Sequence, residues 1–481
     1  MSTMRQDHDQ LEEVFAAASA GAAAFHRGLA ERPVAADYTA RLTQTETLPK
    51  NGIGALAALK RFETEIAPNL SGSVGPRYLG LVTGGATPAA LVGDWLAASV
   101  DQNLALPGDS AATPVTLRTL DFLKDLFGLP REAFEGSFTT GATGATLLGL
   151  ATAREWCAEK VGLSAAEVGM RGLPVIPVLS ACPHAATIKV MSITGFGRDA
   201  LVPVGRLPNS EAMDPAALNM ALGEQPAGPK IVVASAGTVT MTDFDDLNAV
   251  ADLCARHEAW LHVDAAFGAF ARCVPELAGM AAGLERADSI TGDCHKWLNV
   301  PYDSGFFFTR RGDLLERAQG LAAAYLVTGA TEPPMMSRAV ESSQRFRALP
   351  AWMTLIAYGR QGVEEVVRAN CAQATKLAAW IEEAPGFELL CPTRLNVVVP
   401  SVAEEDGTPS SPERNGALLA ALARGGKVFA TPGAVGERAG IRMCFSNWMT
   451  EDADLPIIFE ALAKARAEIG ELGEPPKQGT G

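Results

Sequence analysis

Hydrophobic and polar positions change their spacing several times along the chain. Over roughly the first 65 residues, alanine-rich segments with scattered charges repeat at helical spacing, which predicts helices. Glycines and prolines then interrupt the pattern over 73–90 and predict loops. From about 130 to 310, short apolar runs alternate with helical patterns such as 244–258, and a long helical pattern follows over 351–383.

Four apolar runs in the middle of the chain have the length and composition of buried strands. They are 173–181, 230–237, 259–267 and 304–310. Strands that alternate with helices favour an α/β architecture with a mostly parallel sheet. Further along, strand patterns at 394–401 and 440–447 and a helical pattern at 452–470 predict a smaller α+β domain, and the polar segment 399–416 predicts a surface loop.

Composition and charge exclude several classes of function. The chain has 481 residues, with 40 basic and 55 acidic side chains and a formal net charge of −15, so we expect neither a nucleic-acid partner nor a membrane contact. No apolar run approaches the ~18 residues of a membrane span, and the acidic N-terminus is unlike a secretory signal. Eight scattered cysteines without a CxxC pair suit a cytoplasmic protein and predict no metal site.

The segment GSFTTGATGATLLGLATAREW (136–156) places small residues directly before a helical pattern. Small side chains such as that of Gly141 let main-chain N–H groups approach an anion, and a helix N-terminus favours negative charge. The hydroxyls of Thr140 and Thr143 can donate further hydrogen bonds. This segment matches neither common phosphate-binding motif, and by itself an N-capped helix after a turn is the simpler interpretation.

Three later residues follow apolar runs and are candidates for chemistry. His184 follows a predicted strand, and a flat imidazole there can stack on an aromatic ring, although a structural role is the simpler reading. Asp264, in the segment LHVDAAFGAF (261–270), ends a strongly apolar strand, where α/β sheets usually carry ligand sites, but it can equally cap the next turn. Lys296 stands beside His295, where desolvation and neighbouring cations free a lysine amine for Schiff-base chemistry.

Taken together, these residues meet the requirements of one cofactor. Pyridoxal 5'-phosphate needs a phosphate cradle, a group that stacks on its ring, a carboxylate for its pyridine nitrogen and a lysine. The chain presents them in the order phosphate loop, His184, Asp264 and Lys296, with the lysine 32 positions after the aspartate. We therefore predict a protein that binds pyridoxal phosphate.

The motifs HVDAAFGAF and DCHKWLNVPYDSG resemble the aspartate and lysine signatures of the group II pyridoxal-phosphate-dependent amino-acid decarboxylases. This family includes aromatic-L-amino-acid, glutamate and histidine decarboxylases, and the resemblance extends from about 73 to 465. It implies fold type I: an N-terminal helical arm (1–72), a large α/β domain with a mainly parallel seven-stranded sheet (73–350) and a small C-terminal α+β domain (351–481). It also implies a cytoplasmic homodimer.

The resemblance also implies roles for individual residues. Lys296 would form the Schiff base, Asp264 would pair with the pyridine nitrogen, and His184 and Ala266 would contact the two ring faces. The remaining cofactor contacts that it implies are Thr140, Gly141, Ala142, Thr143, Ser235, Asp293 and His295. Arg442 resembles the arginine with which glutamate decarboxylases bind a substrate carboxylate, and Leu81, Val82 and Thr83 resemble a segment that lines the substrate pocket.

The chain departs from the family pattern at two places. The phosphate loop reads Thr-Gly-Ala-Thr over 143–146, whereas the family commonly has Ser/Thr-Glu-Ala-Asn. The chain therefore has Gly144 in place of the Glu and Thr146 in place of the Asn. The segment 325–347 resembles a catalytic loop that in many members supplies a proton-donating tyrosine, yet after Tyr325 the next tyrosine is Tyr358, and Met335 or Met336 falls near the expected position. A thioether donates no proton.

The missing tyrosine leaves three hypotheses. The first is an L-amino-acid decarboxylase. The second is a related fold type I enzyme with a different outcome, either oxidative deamination to an aldehyde or aminotransfer. The third is a non-catalytic cofactor-binding protein, which the intact pair of Asp264 and Lys296 disfavours.

Overall fold

The structure is a computed structural model of the 481-residue chain. It describes residues 3–35, 46–104, 106, 108–320, 333–404 and 407–471. Tyr325 and positions 327–332 of the predicted loop lie outside the described residues.

Helices fill the N-terminal part of the chain and surround the central sheet. The α-helices of the described residues are α1 (Thr3–Asp9), α2 (Leu11–Arg27), α3 (Ala55–Arg61), α4 (Pro88–Val100), α5 (Ala112–Leu126), α6 (Ala142–Lys160), α7 (Ala165–Val168), α8 (Ala185–Ile193), α9 (Pro215–Glu224), α10 (Leu247–Arg256), α11 (Gly312–Gln319), α12 (Ala348–Glu383), α13 (Pro412–Gly425) and α14 (Asp454–Glu471). Side-chain caps fix several starts, as where Thr87 accepts the N–H of Ala90 at 3.2 Å ahead of Pro88.

The strands form one large sheet and two small ones. They are β1 (Glu135–Thr139), β2 (Val178–Ser180), β3 (Leu201–Pro203), β4 (Lys230–Ser235), β5 (Ala259–Asp264), β6 (Ser289–Asp293), β7 (Gly305–Thr309), β8 (Phe387–Leu389), β9 (Val397–Val398), β10 (Pro400–Val402), β11 (Thr431–Val435) and β12 (Arg438–Cys444). The large sheet has the order β1-β7-β6-β5-β4-β2-β3, and β7 alone runs antiparallel to its neighbours. The predicted α/β fold with a mainly parallel seven-stranded sheet is confirmed.

Two large hydrophobic clusters form most of the core of the described residues, and two smaller clusters complete it. The larger of the two packs against the seven-stranded sheet, whose other face carries a small cluster with Val178, Ile231 and Trp260, and the second large cluster joins β9, β12, α13 and α14. Helix α12 belongs to both, because Ala348 and Val367 pack in the first cluster whereas Leu377 and Ile381 pack in the second. The domain boundaries at 72 and 350 stay predictions.

The four apolar runs contain the strands β2, β4, β5 and β7, so these predictions are confirmed. Two further strands beside β7, namely β1 (EGSFT) and β6 (SITGD), escaped the hydrophobic pattern because serine, glycine and threonine fill them. Their glycines are required: a Cβ at Gly292 would lie 2.0 Å from the Phe306 ring, and one at Gly136 would lie 2.5 Å from the Phe307 carbonyl oxygen.

The polar segment 399–416 is less of a loop than predicted. Its first residues form β10, where Val402 and Ser401 are buried, and its last residues begin α13. The three residues of β10 are too few for an alternation of hydrophobic and polar positions to be detected. Among the described residues, none of the helices has the length and apolar character that crossing a membrane requires.

The buried His262 on β5 makes folding stability depend on pH. Its Nδ1 and Nε2 lie 2.8 Å from Ser289 Oγ and 3.2 Å from Thr291 Oγ1, and burial lowers its pKa from 6.5 to about 4. Between these values the unfolded chain binds a proton that the folded chain does not, so stability rises with pH. We expect His262 to contribute a rise of roughly 3 kcal/mol from pH 4 to 6.5. The unfolding free energy measured with urea should depend less on pH for His262→Gln than for the wild type between pH 4 and 6.5. The same pH dependence in both proteins would contradict this assignment.

Candidate active site

The carboxyl ends of neighbouring strands gather the predicted residues at one edge of the large sheet. In register, Ser235 of β4 faces Asp264 of β5, and Asp264 faces Thr291 of β6, two residues before Asp293. Strand β1 ends just before Gly141, and its Thr139 faces Gly305 of β7, which in turn faces Asp293. This edge is where parallel α/β sheets bind ligands.

Lys296 is held on a short, well-anchored turn after β6. The neighbouring Cys294, Trp297 and Leu298 are buried, and the Trp297 indole N–H donates to Asn370 Oδ1 at 2.9 Å. The lysine side chain is 19% exposed, its Nζ lies 3.3 Å from Asp293 Oδ2 and 5.6 Å from the centre of the Phe267 ring. The amine is thus fixed between a carboxylate and an aromatic face, with an opening toward solvent.

Asp293 connects the lysine with the start of α6. Its Oδ1 accepts the Ala142 N–H at 2.6 Å, and its Oδ2 lies 3.6 Å from His295 Nε2. His295 Nδ1 accepts the Ser304 N–H at 3.2 Å, so the proton of the neutral ring resides on Nε2, toward Asp293. Desolvation by burial lowers the pKa of His295, which keeps this imidazole neutral at pH 7.

The loop before α6 forms a cradle that suits an anion. Gly141 has φ 146°, and a Cβ there would lie 3.0 Å from His295 Cε1, so a side chain would fill the space. The Ala145 N–H is donated to Gly141 O at 3.0 Å, whereas the N–H groups of Thr143 and Gly144 meet no acceptor in the described part of the chain. The helix dipole favours negative charge here.

Asp264 and His184 face the same cleft as the lysine. Asp264 Oδ1 accepts the N–H of Ala266 at 3.1 Å, which fixes the carboxylate at the end of β5. His184 caps α8 through Nδ1, which accepts the Ala186 N–H at 3.1 Å. Enclosure in the cleft lowers the pKa of His184, while the nearby Asp264 carboxylate opposes this and the nearby Lys296 adds to it.

Ser235 closes the floor of the cleft beside Asp264. Its hydroxyl lies 3.5 Å from the Cys182 carbonyl oxygen, and its N–H donates to Asp245 Oδ2 at 2.7 Å. Burial raises the pKa of Asp245 to about 6, an effect that the N–H donors of Ser235 and Met213 oppose. The loop after β4 is therefore held by main-chain hydrogen bonds to a buried carboxyl group.

Arg442 reaches the cleft from β12 of a small sheet. Its Nε donates to Val239 O at 2.6 Å and its Nη1 to Leu81 O at 2.7 Å, and the residue is 5% exposed. Its buried Nη2 has no partner among the described residues. A buried donor without an acceptor is costly, so this nitrogen is suited to an incoming oxygen ligand.

The three predicted pocket residues differ in their surroundings. Leu81 has φ 58° and is 60% exposed, while Val82 is buried in the larger hydrophobic cluster. Thr83 is buried, and its Oγ1 lies 3.3 Å from the hydroxyl of Tyr302. Their pocket-lining role stays a prediction.

Gly84 and Tyr302 adjoin the lysine and were missed by the sequence analysis. A Cβ at Gly84 would lie 1.8 Å from Lys296 O, so the two main chains are in direct contact. The Tyr302 ring packs against His295 with centroids 4.5 Å apart. Tyr302 lies within the lysine motif quoted above, where its position six residues after Lys296 was the available signal.

Replacing Gly84 by alanine should destabilise the site. The added methyl group must displace the Lys296 carbonyl, and we expect a loss of about 1–3 kcal/mol in unfolding free energy together with impaired cofactor binding. Gly416→Ala is the matched control, because Gly416 lies exposed on α13 with open space around it and should gain roughly 0.5–1 kcal/mol. Thermal unfolding of both variants measures this difference; equal melting temperatures would contradict the contact.

The cradle before α6 is suited to the phosphate of a phosphorylated pyridine aldehyde, because Gly141 leaves space beside His295. Asp264 and Lys296, the carboxylate and the amine that this cofactor requires, lie at or just after the ends of neighbouring strands, at the same edge of the sheet. The fold and the site together define a pyridoxal-phosphate enzyme of fold type I. The family model "Pyridoxal-dependent decarboxylase conserved domain" matches residues 39–403, and the chain belongs to this family. It is therefore a carboxy-lyase whose cofactor is pyridoxal phosphate.

Individual relatives agree with this assignment. The chain is 26% identical to an aromatic-L-amino-acid decarboxylase of Bacillus atrophaeus over 442 residues, which cover 90% of this chain and 89% of the relative. It is 25% identical to a phenylacetaldehyde synthase of Arabidopsis thaliana over 413 residues, or 82% of each chain. The solved structure of Oryza sativa TDC with PLP and tryptamine superposes with a TM-score of 0.88 at 23% identity, covering 96% of this chain and 98% of that one, and so shares the fold.

Within the described residues, no cluster of three or more histidine, cysteine or acidic side chains is arranged to hold a metal ion.

Proposed function

We propose that the protein decarboxylates an L-amino acid and that Lys296 forms the Schiff base with the cofactor. The observation that carries this proposal is the position of the lysine amine, 3.3 Å from Asp293 Oδ2 at the strand edge that also holds Asp264. The cofactor, when bound, supplies an electron sink for the pair of electrons that remains after CO2 departs. The protein supplies position, charge and protons.

Each side chain has a distinct task in this proposal. Asp264 keeps the pyridine nitrogen protonated, and its carboxylate is held for this by the Ala266 N–H. His184 and Ala266 would contact the two faces of the ring, and Ser235 would contact it from beside Asp264. The phosphate contacts are Thr140, Gly141, Ala142 and Thr143, with Asp293 and His295 beside them.

Arg442 is proposed to bind the carboxylate of the amino acid. Its Nη2 is buried and without a partner among the described residues, and the other two nitrogens are already bound to Val239 O and Leu81 O. A carboxylate held there is oriented as well as bound. Leu81, Val82 and Thr83 are proposed to line the side-chain pocket.

Replacing Arg442 by lysine should weaken substrate binding. Lysine keeps the charge but loses the planar geometry, so we expect KM for the amino acid to rise about 10- to 100-fold, the equivalent of one charge-assisted hydrogen bond. Arg424→Lys serves as a control, because Arg424 is an exposed residue of α13. Steady-state kinetics measure both; an unchanged KM for Arg442→Lys would contradict the assignment.

The experiment that tests the function is a panel of amino acids scored for CO2, amine and aldehyde together. The panel contains L-tryptophan, L-tyrosine, L-phenylalanine, L-histidine, L-glutamate and L-2,4-diaminobutyrate, which span the chemistry of the relatives. Release of CO2 with a stoichiometric amine supports the proposal. If no member of a panel widened to all common L-amino acids releases CO2, the proposal fails.

Formation of an aldehyde is the second candidate function. Two observations favour it: the sequence has no tyrosine between Tyr325 and Tyr358, and a phenylacetaldehyde synthase is among the relatives. Aldehyde formation in place of amine, with uptake of oxygen, would support this alternative. Aminotransfer would instead appear as a keto-acid product without CO2.

We also propose that the protein is a cytoplasmic homodimer. Apolar side chains on the arm and on α4 are exposed in the single chain, among them Phe15, Trp95 and Leu96, and such surfaces favour burial against a second copy. Eight unpaired cysteines suit a reducing compartment. Light scattering of the purified protein distinguishes a dimer from a monomer of 50.3 kDa.

A further inference from the structure

Decarboxylation to an amine requires a proton donor for the carbon that loses CO2. We propose that Tyr302 is this proton donor, an inference that rests on the proposed decarboxylation. The Tyr302 ring lies 4.5 Å from the His295 ring, and its hydroxyl lies 3.3 Å from Thr83 Oγ1. Both contacts adjoin the reacting lysine, because His295 precedes Lys296 and Thr83 precedes Gly84, which touches the Lys296 carbonyl.

The contacts of Tyr302 hold its hydroxyl while leaving it access to water. Thr83 is buried at the hydroxyl end, whereas Tyr302 as a whole is 58% exposed. Enclosure of the phenol by the cleft raises its pKa, and the negative charge of Asp293 adds to this, so Tyr302 is protonated at pH 7 and ready to donate. The open face lets water restore the proton after each turnover.

Three groups among the described residues that adjoin Tyr302 or the lysine turn are less suited to donate. The His295 ring is neutral, and its Nε2 proton faces Asp293 at 3.6 Å. The Lys296 amine is itself paired with Asp293 Oδ2 at 3.3 Å. The hydroxyl of Thr83 is a far weaker acid than a phenol.

The proposed step is balanced. The Tyr302 O–H bond breaks, a C–H bond forms at the substrate carbon, and the electron pair left by CO2 makes the new bond. The resulting phenolate takes a proton from water. No oxidant or reductant is needed.

The test uses the holoenzyme and the amine product of whichever panel amino acid is turned over fastest. In D2O, exchange of the α-hydrogen of this amine is the reverse of the proposed protonation, and NMR measures its rate. We expect Tyr302→Phe, which retains the ring against His295, to slow this exchange by about 100-fold or more. Tyr358→Phe is the control, because Tyr358 lies on α12 and its hydroxyl accepts the Ala89 N–H at 3.3 Å. With this variant the α-hydrogen of the amine should exchange at the wild-type rate.

A second measurement does not depend on turnover. Ultraviolet titration of the cofactor-free protein follows its five tyrosines. Tyr302→Phe should remove one tyrosine with a raised pKa and lower the pKa of Tyr78, to which the Tyr302 phenol contributes. Thr83, His295, Asp293, Lys296 and Tyr78 are the groups that face this phenol.

The results distinguish a wrong assignment of Tyr302 from a failure of the proposed decarboxylation. Slowed exchange in Tyr302→Phe with normal exchange in Tyr358→Phe supports Tyr302. Wild-type exchange in Tyr302→Phe, with the titration showing that Tyr302 was protonated and the variant folded, overturns it. If the wild type itself releases no CO2 from any amino acid, the proposed function fails first.

Discussion

Lys296→Ala is expected to lose both catalysis and the visible absorption that a lysine Schiff base gives to bound pyridoxal phosphate. The amine is the only lysine nitrogen that the described residues place at the strand edge beside Asp264 and His184. Removing a nucleophile of this kind costs several orders of magnitude in rate, because the remaining groups act only through it. Absorption spectra after addition of pyridoxal phosphate, and CO2 release from the best panel amino acid, measure the two effects.

The matched control is Lys189→Ala, at an exposed position on α8 in the same half of the chain. It should retain both the absorption and the activity of the wild type. Thermal unfolding should show that Lys296→Ala is folded, since its anchor residues Trp297 and Leu298 are unchanged. A folded Lys296→Ala variant that still releases CO2 at the wild-type rate would refute the Schiff-base assignment.

Asp264→Asn is expected to bind the cofactor but to lose nearly all turnover. Asparagine keeps the oxygen that accepts the Ala266 N–H at 3.1 Å, so the local structure should persist. The lost negative charge would no longer keep a pyridine nitrogen protonated, and the electron sink would weaken. We expect kcat to fall about 100- to 1,000-fold, in the range seen when one electrostatic partner of a transition state is removed.

The control for this variant is Asp199→Asn, an exposed carboxylate on the surface between α8 and β3. The visible absorption of Asp264→Asn should remain, which separates the predicted defect from simple loss of the cofactor. Rates close to those of the wild type, with the cofactor bound, would rule out a role for Asp264 at the pyridine nitrogen.

Asp264 was predictable because it ends the strongly apolar strand β5, whereas Lys296 follows β6, which has no such pattern. Lys296 was identified by its motif, DCHKWLNVPYDSG, in which the neighbouring Trp297 and Leu298 are buried. A strand end such as Asp264 can be recognised from the sequence alone, since burial on both faces of a parallel strand makes a continuous apolar run.

Contacts between distant segments had no comparable signal. Gly84 touches Lys296 over 212 positions of sequence (296 − 84), and nothing in its local pattern distinguishes it from other loop glycines. Val82 shares its segment with Leu81 and Thr83, yet it packs in the hydrophobic cluster, because a loop has no periodicity that separates inner from outer positions. The strand β1 was hidden for another reason: its composition reflects the bulk of the phenylalanines on β7 beside it.

In its proposed role, Arg442 is prepared for a carboxylate by such distant contacts. Two of its nitrogens donate to carbonyl oxygens 203 and 361 positions away, which immobilise the guanidinium before any ligand arrives. A flexible arginine would lose roughly 2 kcal/mol of rotamer entropy on capturing a carboxylate, and this one has already lost it during folding. The guanidinium is thus preorganised. Because folding has already fixed its conformation, less side-chain entropy is lost when a carboxylate binds to the remaining nitrogen.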